Sequence, residues 1–540
     1  MEKDNLNSLP DDINQLKELV LSASVQLVNQ TEHLKNKDKT IVEKQEEINR
    51  LSEIIKLLKH KQFGKSSEKS SDQIELFDEP EAESTEDGEL NSSGLEDSGS
   101  VKSKPASNVK KTSGRKPLPK ELKRVVVHYD VSVEEKTCDC GCQKTHIGDE
   151  VSEQLDIIPA VIQVIQHRRK KYACKSCEGK MVVASLPAQP IPKSNASPGL
   201  LAYIAVAKYQ DGLPLYRNET IFERMGIHLP RNTQANWMIK SSELLLPLHY
   251  LLNNQLLSRG YIHIDETPVQ VLKEPDKTPE SKSYMWVMKT GDPNQKIILF
   301  HYSASRKASV AQSLLSGFQG YLQTDDYAGY NAVANENGIT QLGCFAHARR
   351  KFIDAQKVSP SIKGKVSKAD MAVNLIAKLY AIEKEIKDKN IEERYEVRQK
   401  KSKPQLEKIK KWLDKSLLET LPKGKSGMAL SYMNNNWVKL TEYIKDGRLN
   451  IDNNPVERAI RPFAIGRKNW MFSDSQKGAK ASAMLYSIIE TAKANDIEPY
   501  QYLKAVFTKL PQAGSLEEIE ELLPWNIQLL DDIKPDSGED

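Results

Sequence analysis

The stretch Tyr-Ile-His-Ile-Asp-Glu-Thr-Pro-Val-Gln-Val-Leu, residues 261–272, sets an acidic pair inside an apolar pattern. Ile262 and Ile264 alternate with polar neighbours, and Val269, Val271 and Leu272 resume the apolar pattern after Pro268. This predicts a strand, a proline-marked break and a second strand, with Asp265 and Glu266 ending the first. A carboxylate at the end of a core strand is costly unless it is solvated, paired or bound to a metal. Asp265 is therefore read as a metal ligand whose companions come from distant parts of the chain. Glu266 is an equal contender on spacing alone.

At 540 residues the chain exceeds a single core, and length gives roughly three or four domains. Charged residues make up 28% of it but the net charge is only +4, so any case for nucleic acid rests on local patches. No apolar run approaches a membrane span, since residues 244–252 are short and include Pro247 and His249. The first residues, Met-Glu-Lys-Asp-Asn, lack the apolar centre of a signal peptide, and a cytoplasmic protein is expected.

Residues 13–58 keep a seven-residue register. One position holds Ile13, Val20, Leu27, Leu34, Ile41, Ile48 and Ile55, and its partner holds Leu16, Ala23, Leu51 and Leu58. The partner position turns polar at Gln30, Lys37 and Lys44. A coiled coil with a weak middle is expected, and with it a homo-oligomer or a partner-binding helix. A long amphipathic helix packed on its own chain fits the same register. From Asp72 to Asp97 there are eleven acids and no base, the composition of a disordered linker. From Lys102 to Arg124 the sign reverses, with nine bases against one acid. Its core, Gly114-Arg115-Lys116-Pro117, suits a flexible arm that gains affinity from phosphates and lies in a minor groove. Mutual neutralisation of the two halves is the alternative.

Five of the six cysteines fall in two clusters, Cys138, Cys140 and Cys142, then Cys174 and Cys177, with Cys344 apart. Two knuckles of thiolates suit one tetrahedral Zn²⁺ in a reducing compartment better than a disulfide framework. Cys174 and Cys177 supply one pair, and two of Cys138, Cys140 and Cys142 supply the other. His146 and His167 are read as surface residues. Three helical runs follow a proline-rich connector, over residues 199–209, 214–225 and from about 232. Arg231, Asn232, Gln234 and Asn236 lead the third, in the manner of a helix-turn-helix reader.

Further strands are expected at 284–288 and 296–302, then a helix at 307–315. Residues 320–330, Gly-Tyr-Leu-Gln-Thr-Asp-Asp-Tyr-Ala-Gly-Tyr, repeat the opening design, an apolar strand delivering Asp325 with Asp326 in the turn. A strand at 339–342 runs into the basic helix Cys344-Phe-Ala-His347-Ala-Arg349-Arg350-Lys351-Phe. Such an order fits a mixed α/β sheet. Residues 361–445 read as charged helices anchored by Trp412 and Trp437. Asp452-Asn453-Asn454-Pro455-Val456-Glu457-Arg458 then opens a helix, with Asn453 or Asn454 as cap and proline in the first turn. Grouping Asp265, Asp325 and Glu457 makes sense as phosphoryl-transfer chemistry. Acids from separate elements can hold two Mg²⁺ ions that activate a nucleophile and stabilise a leaving oxygen. Arg349, Arg350, Arg458, Arg461 and Lys468 are the bases expected to bind a DNA strand, with a solvated helix face as the alternative.

Spacing alone does not select these three acids. The motifs His-Ile-Asp265-Glu-Thr, Thr-Asp325-Asp-Tyr-Ala-Gly-Tyr, Cys344-Phe-Ala-His-Ala-Arg-Arg-Lys-Phe and Asn-Asn-Pro-Val-Glu457-Arg-Ala-Ile-Arg-Pro together resemble the transposases of the insertion sequence 66 family. The resemblance extends to Phe-Gly-Lys-Ser-Ser-Glu, Gly-Arg-Lys-Pro-Leu-Pro, the cysteine knuckles with Asp156-Ile-Ile-Pro, and Leu-Leu-Pro-Trp525. It implies a ribonuclease H-like core with a helical insertion before the third acid. It also implies Mg²⁺-dependent DNA cleavage and strand transfer, with Asp265, Asp325 and Glu457 as the catalytic acids. Partners so implied are transposon-end and target DNA and small accessory proteins encoded by the transposon. Asp326 stands where the family more often has glycine, and Cys-Asp-Cys-Gly-Cys departs from the usual two-residue knuckle. The expected order is a coiled coil (1–63), a disordered acidic-then-basic linker (64–124), a zinc module (125–186) and a helix-turn-helix-like segment (187–257). The core begins at 258–360, is interrupted by the insertion (361–450), resumes with the third-acid helix (451–497) and is followed by residues 498–540. The alternative function is a zinc-containing DNA-binding repressor, or an inactive relative, whose core does not catalyse.

Overall fold

The computed structural model describes residues 162–172, 182–334, 338–358 and 366–529, with isolated positions at 37, 40, 44, 45, 48 and 126. The expected coiled coil, linker, Arg115, Lys116 and all five clustered cysteines lie outside the described residues, apart from those isolated positions. The chain divides into two units, one of residues 1–80 with 169–540 and one of residues 81–168. Of the second, Val126 and residues 162–168 are described; they are exposed, without regular structure, and include His167. No helix among the described residues is long and apolar enough to cross a membrane.

The first unit opens with a short antiparallel pair, β1 (Lys171–Tyr172) and β2 (Val182–Val183). Helices α1 (Pro198–Tyr209), α2 (Leu215–Arg224), α3 (Arg231–Leu244) and α4 (Leu246–Leu257) follow. The third helical run is thus two helices, parted at Leu245, because Pro247 can start a helix but not continue one. Buried Asn218 of α2 donates to Gln234 of α3 at 3.0 Å, and Gln234 donates to the Leu229 carbonyl at 2.9 Å. Gln234 therefore braces the turn between helices.

The sheet is mixed. β3 (Tyr261–Lys273), β4 (Lys282–Thr290) and β5 (Ile298–Ser303) form an antiparallel meander. β6 (Gly320–Gln323) and β7 (Ile339–Leu342) add parallel strands on the other side of β3, giving the order β5-β4-β3-β6-β7. Gly320 has φ +125°, and a Cβ there would meet the Gly260 carbonyl oxygen at 2.4 Å. Only glycine lets β6 start so close to β3. β3 is one continuous strand, which corrects the expected break at Pro268 and puts Asp265 within the strand, not at its end. The physical reason is local. On the side away from β4, β3 pairs with β6 up to His263 and with β8 (Ser473–Ser475) from Val271, so Pro268 lies in the unpaired gap between them.

Between β5 and β7 lie α5 (Ala308–Leu314) and α6 (Asn331–Ala334), and α7 (Phe345–Val358) follows β7. The helical segment after α7 contains α8 (Lys368–Glu385), α9 (Ile391–Val397), α10 (Lys403–Leu418), α11 (Lys425–Asn435) and α12 (Trp437–Thr441). It has its own core, where Phe345 and Phe352 of α7 meet Ile376, Leu379, Ile409, Leu413, Leu430 and Met433. Trp412 and Trp437 pack half-buried on that core, as expected. Buried Arg398 knots the end of this segment. It pairs with Glu383 at 2.6 Å and donates to the carbonyls of Tyr443, Asp446 and Leu449 at 3.0, 2.8 and 2.8 Å.

The chain then forms α13 (Asn454–Trp470), α14 (Gln476–Ala494), α15 (Pro499–Lys509) and α16 (Leu516–Glu520). α14 covers the outer edge of β5. The Phe300 N–H donates to Ser487 Oγ at 2.7 Å, the Ile298 N–H to Thr491 Oγ1 at 3.1 Å and the Lys296 N–H to Asn495 Oδ1 at 3.0 Å. Thr491 and Asn495 also donate back to the carbonyls of Ile298 and Lys296 at 2.9 and 2.7 Å. The spacing explains the fit, because four helical residues rise about 6.0 Å and two strand residues about 6.7 Å. A helix here does the work of a neighbouring strand and seals an edge open to aggregation. Thr491→Val keeps the shape but orphans the Ile298 N–H and C=O. It is expected to lower stability by about 1–3 kcal/mol, read from the urea midpoint; an unchanged midpoint would show that the seal is not needed.

His301 of β5 packs edge-on against His249 of α4, with ring centroids 5.4 Å apart. Burial lowers His301 to about 3 and His249 to about 4, from an ordinary value of 6.5. Each is neutral when folded, so their stabilising contribution is complete above pH 6.5 and is lost as pH falls below it. The loss is at most about 1.4 kcal/mol per pH unit per ring. His301→Leu should flatten the decline in melting temperature between pH 6.5 and 4; an equally steep decline would refute the assignment.

Candidate active site

The site begins with the alternation of β3. Ile262 and Ile264 turn into the larger core, and Tyr261, His263 and Asp265 turn to the opposite face. On that face Asn453, just before α13, donates from Nδ2 to the Ile264 carbonyl at 3.1 Å, which points its Oδ1 at His263 Nδ1 at 3.0 Å. Asn450 Nδ2 meets His263 Nε2 at 3.2 Å. One assignment satisfies every partner, with His263 neutral, Nδ1 donating and Nε2 accepting. Burial agrees, since it lowers His263 to about 3. Asn453 was expected to cap α13 with its side chain, or Asn454 in its place. The side chain of Asn453 instead clamps the helix to β3, and Asp452 Oδ1 accepts the Asn454 N–H at 3.2 Å.

The clamp brings Glu457, in the first turn of α13, to the neighbourhood of Asp265. A carboxylate suits that position at a helix N-terminus. Asp265 is buried and accepts the Glu266 N–H at 2.8 Å. Asp325 lies two residues beyond β6, half-buried, and accepts the Tyr327 N–H at 2.9 Å, whereas Asp326 is exposed. Burial raises Asp265 well above the ordinary carboxylate range, and the charges of Asp325, Glu266 and Glu457 raise it further. Asp325 is raised by burial too, against the pull of the Tyr327 N–H and Arg306. Asp265 and Asp325 are thus both held above their ordinary range, with burial as the largest cause in each.

Glu266 is differently placed. It pairs with Arg306 at 2.5 Å and receives the Tyr330 hydroxyl, and Arg306 in turn stacks on Tyr327 at 3.9 Å. His347 and Arg350 of α7 each lie 3.8 Å from a Glu457 oxygen. It is Cys344, His347 and Glu457, not the three acids, whose ligand atoms all lie within 4.8 Å of one another. Arg349 is half-buried on α7; Arg458 and Lys468 are exposed on α13 and Arg461 is half-buried there. Arg231 is exposed at the start of α3. Arg467 donates to the Pro268 carbonyl, holding α13 along the unpaired gap of β3.

With this geometry in hand, comparison with known proteins is decisive. A family model described as Transposase IS66 family matches residues 193–481. The chain belongs to the IS66 transposase family. The IS66 C-terminal element matches residues 487–525, a zinc-finger binding domain of transposase IS66 matches 135–178, and Transposase C of IS166 homeodomain matches 50–127. Among similar proteins are three uncharacterised ones from Sinorhizobium fredii. Protein y4qI is 32% identical over 96% of this chain and 98% of its own length. Protein y4jD is 32% identical over 76% of this chain and 81% of its own length, and y4hP 30% identical over 87% of each.

Sequence reasoning missed the roles of His263, Asn450 and Asn453 as the joint between strand and helix, and of Arg306 and Tyr330 as partners of Glu266. The only signal available was that His263, Tyr330 and Asn453 fall inside the quoted motifs; Arg306 and Asn450 lie outside them. The acid cluster yields a test. Asp265→Asn keeps the acceptor for Glu266 but removes a buried charge that costs stability at any pH above its ordinary value. In chelator at pH 7.5 the variant is expected to melt a few degrees above wild type. Added Mg²⁺ should raise the melting temperature of wild type and leave the variant unmoved. A variant that melts lower, or responds equally to Mg²⁺, would contradict the cluster.

Proposed function

We propose that this IS66-family protein binds the ends of its element and catalyses metal-dependent DNA cleavage and strand transfer through Asp265, Asp325 and Glu457. One observation carries the reading. Buried Asp265 on β3 is raised by the charges of Asp325, in the loop after β6, and of Glu457, at the start of α13. The order β5-β4-β3-β6-β7 supports a ribonuclease H-like core, with residues 361–450 as its insertion. The acids fit divalent cations because they are hard oxygen donors whose mutual repulsion an ion relieves. When bound, two Mg²⁺ ions supply the charge that activates a water or 3′-hydroxyl and stabilises the leaving oxygen. The chain's own residues do the rest. Glu266, held by Arg306 and Tyr330, braces the strand beside Asp265. Arg350 sits by Glu457, and Arg458, Arg461, Lys468 and Arg349 meet the DNA backbone.

Arg231, leading α3, and the Arg115-Lys116 arm add contacts at the transposon end. Cys174 and Cys177, with two of Cys138, Cys140 and Cys142, hold the structural zinc, in line with the zinc-finger match. Residues 1–63 form the coiled coil through which copies associate, and accessory transposon proteins are further partners. Cleavage and joining of a labelled transposon end in Mg²⁺ tests the reading. Asp265→Asn, Asp325→Asn and Glu457→Gln should each lose about a thousandfold or more in rate, the equivalent of several kcal/mol, while retaining end binding. Activity retained in any of the three would remove that residue from the set. Wild type that binds ends but never cuts them would favour a DNA-binding repressor.

A further inference from the structure

Cys344 directly precedes α7, His347 stands three residues later on the same helix face, and Glu457 reaches in from α13. Their ligand atoms all lie within 4.8 Å of one another, and His347 Nδ1 is 3.8 Å from Glu457 Oε1. Cys344 has an ordinary role as a core thiol, since it is 1% exposed and its Sγ accepts the Asn453 N–H at 3.3 Å. That role leaves His347 unexplained. Its Nδ1 is buried and has no hydrogen-bond partner among the described residues. A buried imidazole nitrogen so placed is costly unless something binds it. Ligands of a tetrahedral ion, bonded at about 2.0–2.3 Å, sit about 3.3–3.8 Å apart. The group therefore needs to contract by less than about 1.5 Å around an ion.

We propose that Cys344 Sγ, His347 Nδ1 and the Glu457 carboxylate bind one soft divalent cation of the zinc class. Sulfur and imidazole select zinc or cobalt over magnesium, which prefers oxygen donors. Binding breaks the S–H bond and releases the proton to solvent as the sulfur–metal bond forms, with no change in oxidation state. Three protein ligands leave a fourth position for water. Glu457 also belongs to the proposed catalytic acids, so an ion here withdraws a carboxylate that the hard cations need. That consequence rests on the proposed function; the binding itself does not.

The test is Co²⁺ titration of the full-length protein with its cysteine knuckles already loaded with zinc. Uptake is read from the thiolate-to-cobalt charge-transfer band and from metal content. Wild type should gain about one thiolate-bound cobalt per chain by the charge-transfer band, Cys344→Ser should lose that band, and His347→Ala should form it at least about tenfold more weakly. The histidine variant, whose ring is a quarter exposed, serves if the buried serine prevents folding. Asp265→Asn should keep the extra cobalt while losing DNA cleavage, which separates this site from the catalytic reading. Equal uptake and equal spectra in wild type, Cys344→Ser and His347→Ala would overturn the proposal.

Discussion

Asn453 carries more of this architecture than any other single side chain. Its amide spans from the Ile264 carbonyl to the His263 ring, and its own N–H reaches Cys344. Three segments far apart in sequence, β3, the entry to α7 and the entry to α13, therefore meet at one residue. Every partner in the group is satisfied, and such buried networks are rigid because any displacement orphans a polar atom in a low dielectric. The insertion serves the same joint. Arg398 holds the turn that ends it, and the chain leaves that turn directly into Asn450 and Asn453.

The acids illustrate a trade-off between stability and chemistry. Asp265 is raised by burial and by the charges of Asp325, Glu266 and Glu457, and Asp325 by burial and the charge of Asp326, so the fold holds both at a cost. Glu266 shows the opposite solution in the next residue. Burial raises it too, but the Tyr330 hydroxyl and the Arg306 guanidinium oppose that shift directly.

Much of this was legible in the residues because the patterns are local. Alternation marked the first half of β3, short strand-like runs marked β4, β5 and β7, and proline after asparagine marked the start of α13. The helical character of residues 361–445 and the anchoring by Trp412 and Trp437 were likewise readable. The continuity of β3 through Pro268 was not, because it depends on which neighbouring strands stop short, a matter of tertiary pairing. The side-chain role of Asn453 escaped for the same reason, as its partners lie about 190 residues away. Choosing three acids from 74 acidic residues needed the family motifs, since spacing carries no information on convergence in space.

The sealing of β5 by Ser487, Thr491 and Asn495 has a temporal side. The strand and its seal are separated by 187 residues from Phe300 to Ser487. A ribosome adding about 5–20 residues per second takes roughly ten to forty seconds to cover that span. Throughout that interval the nascent sheet has an open edge and must be shielded by other means. Copies of the gene interrupted anywhere within the insertion encode chains in which the edge never closes. Such chains would expose the β5 edge that Ser487, Thr491 and Asn495 otherwise cover.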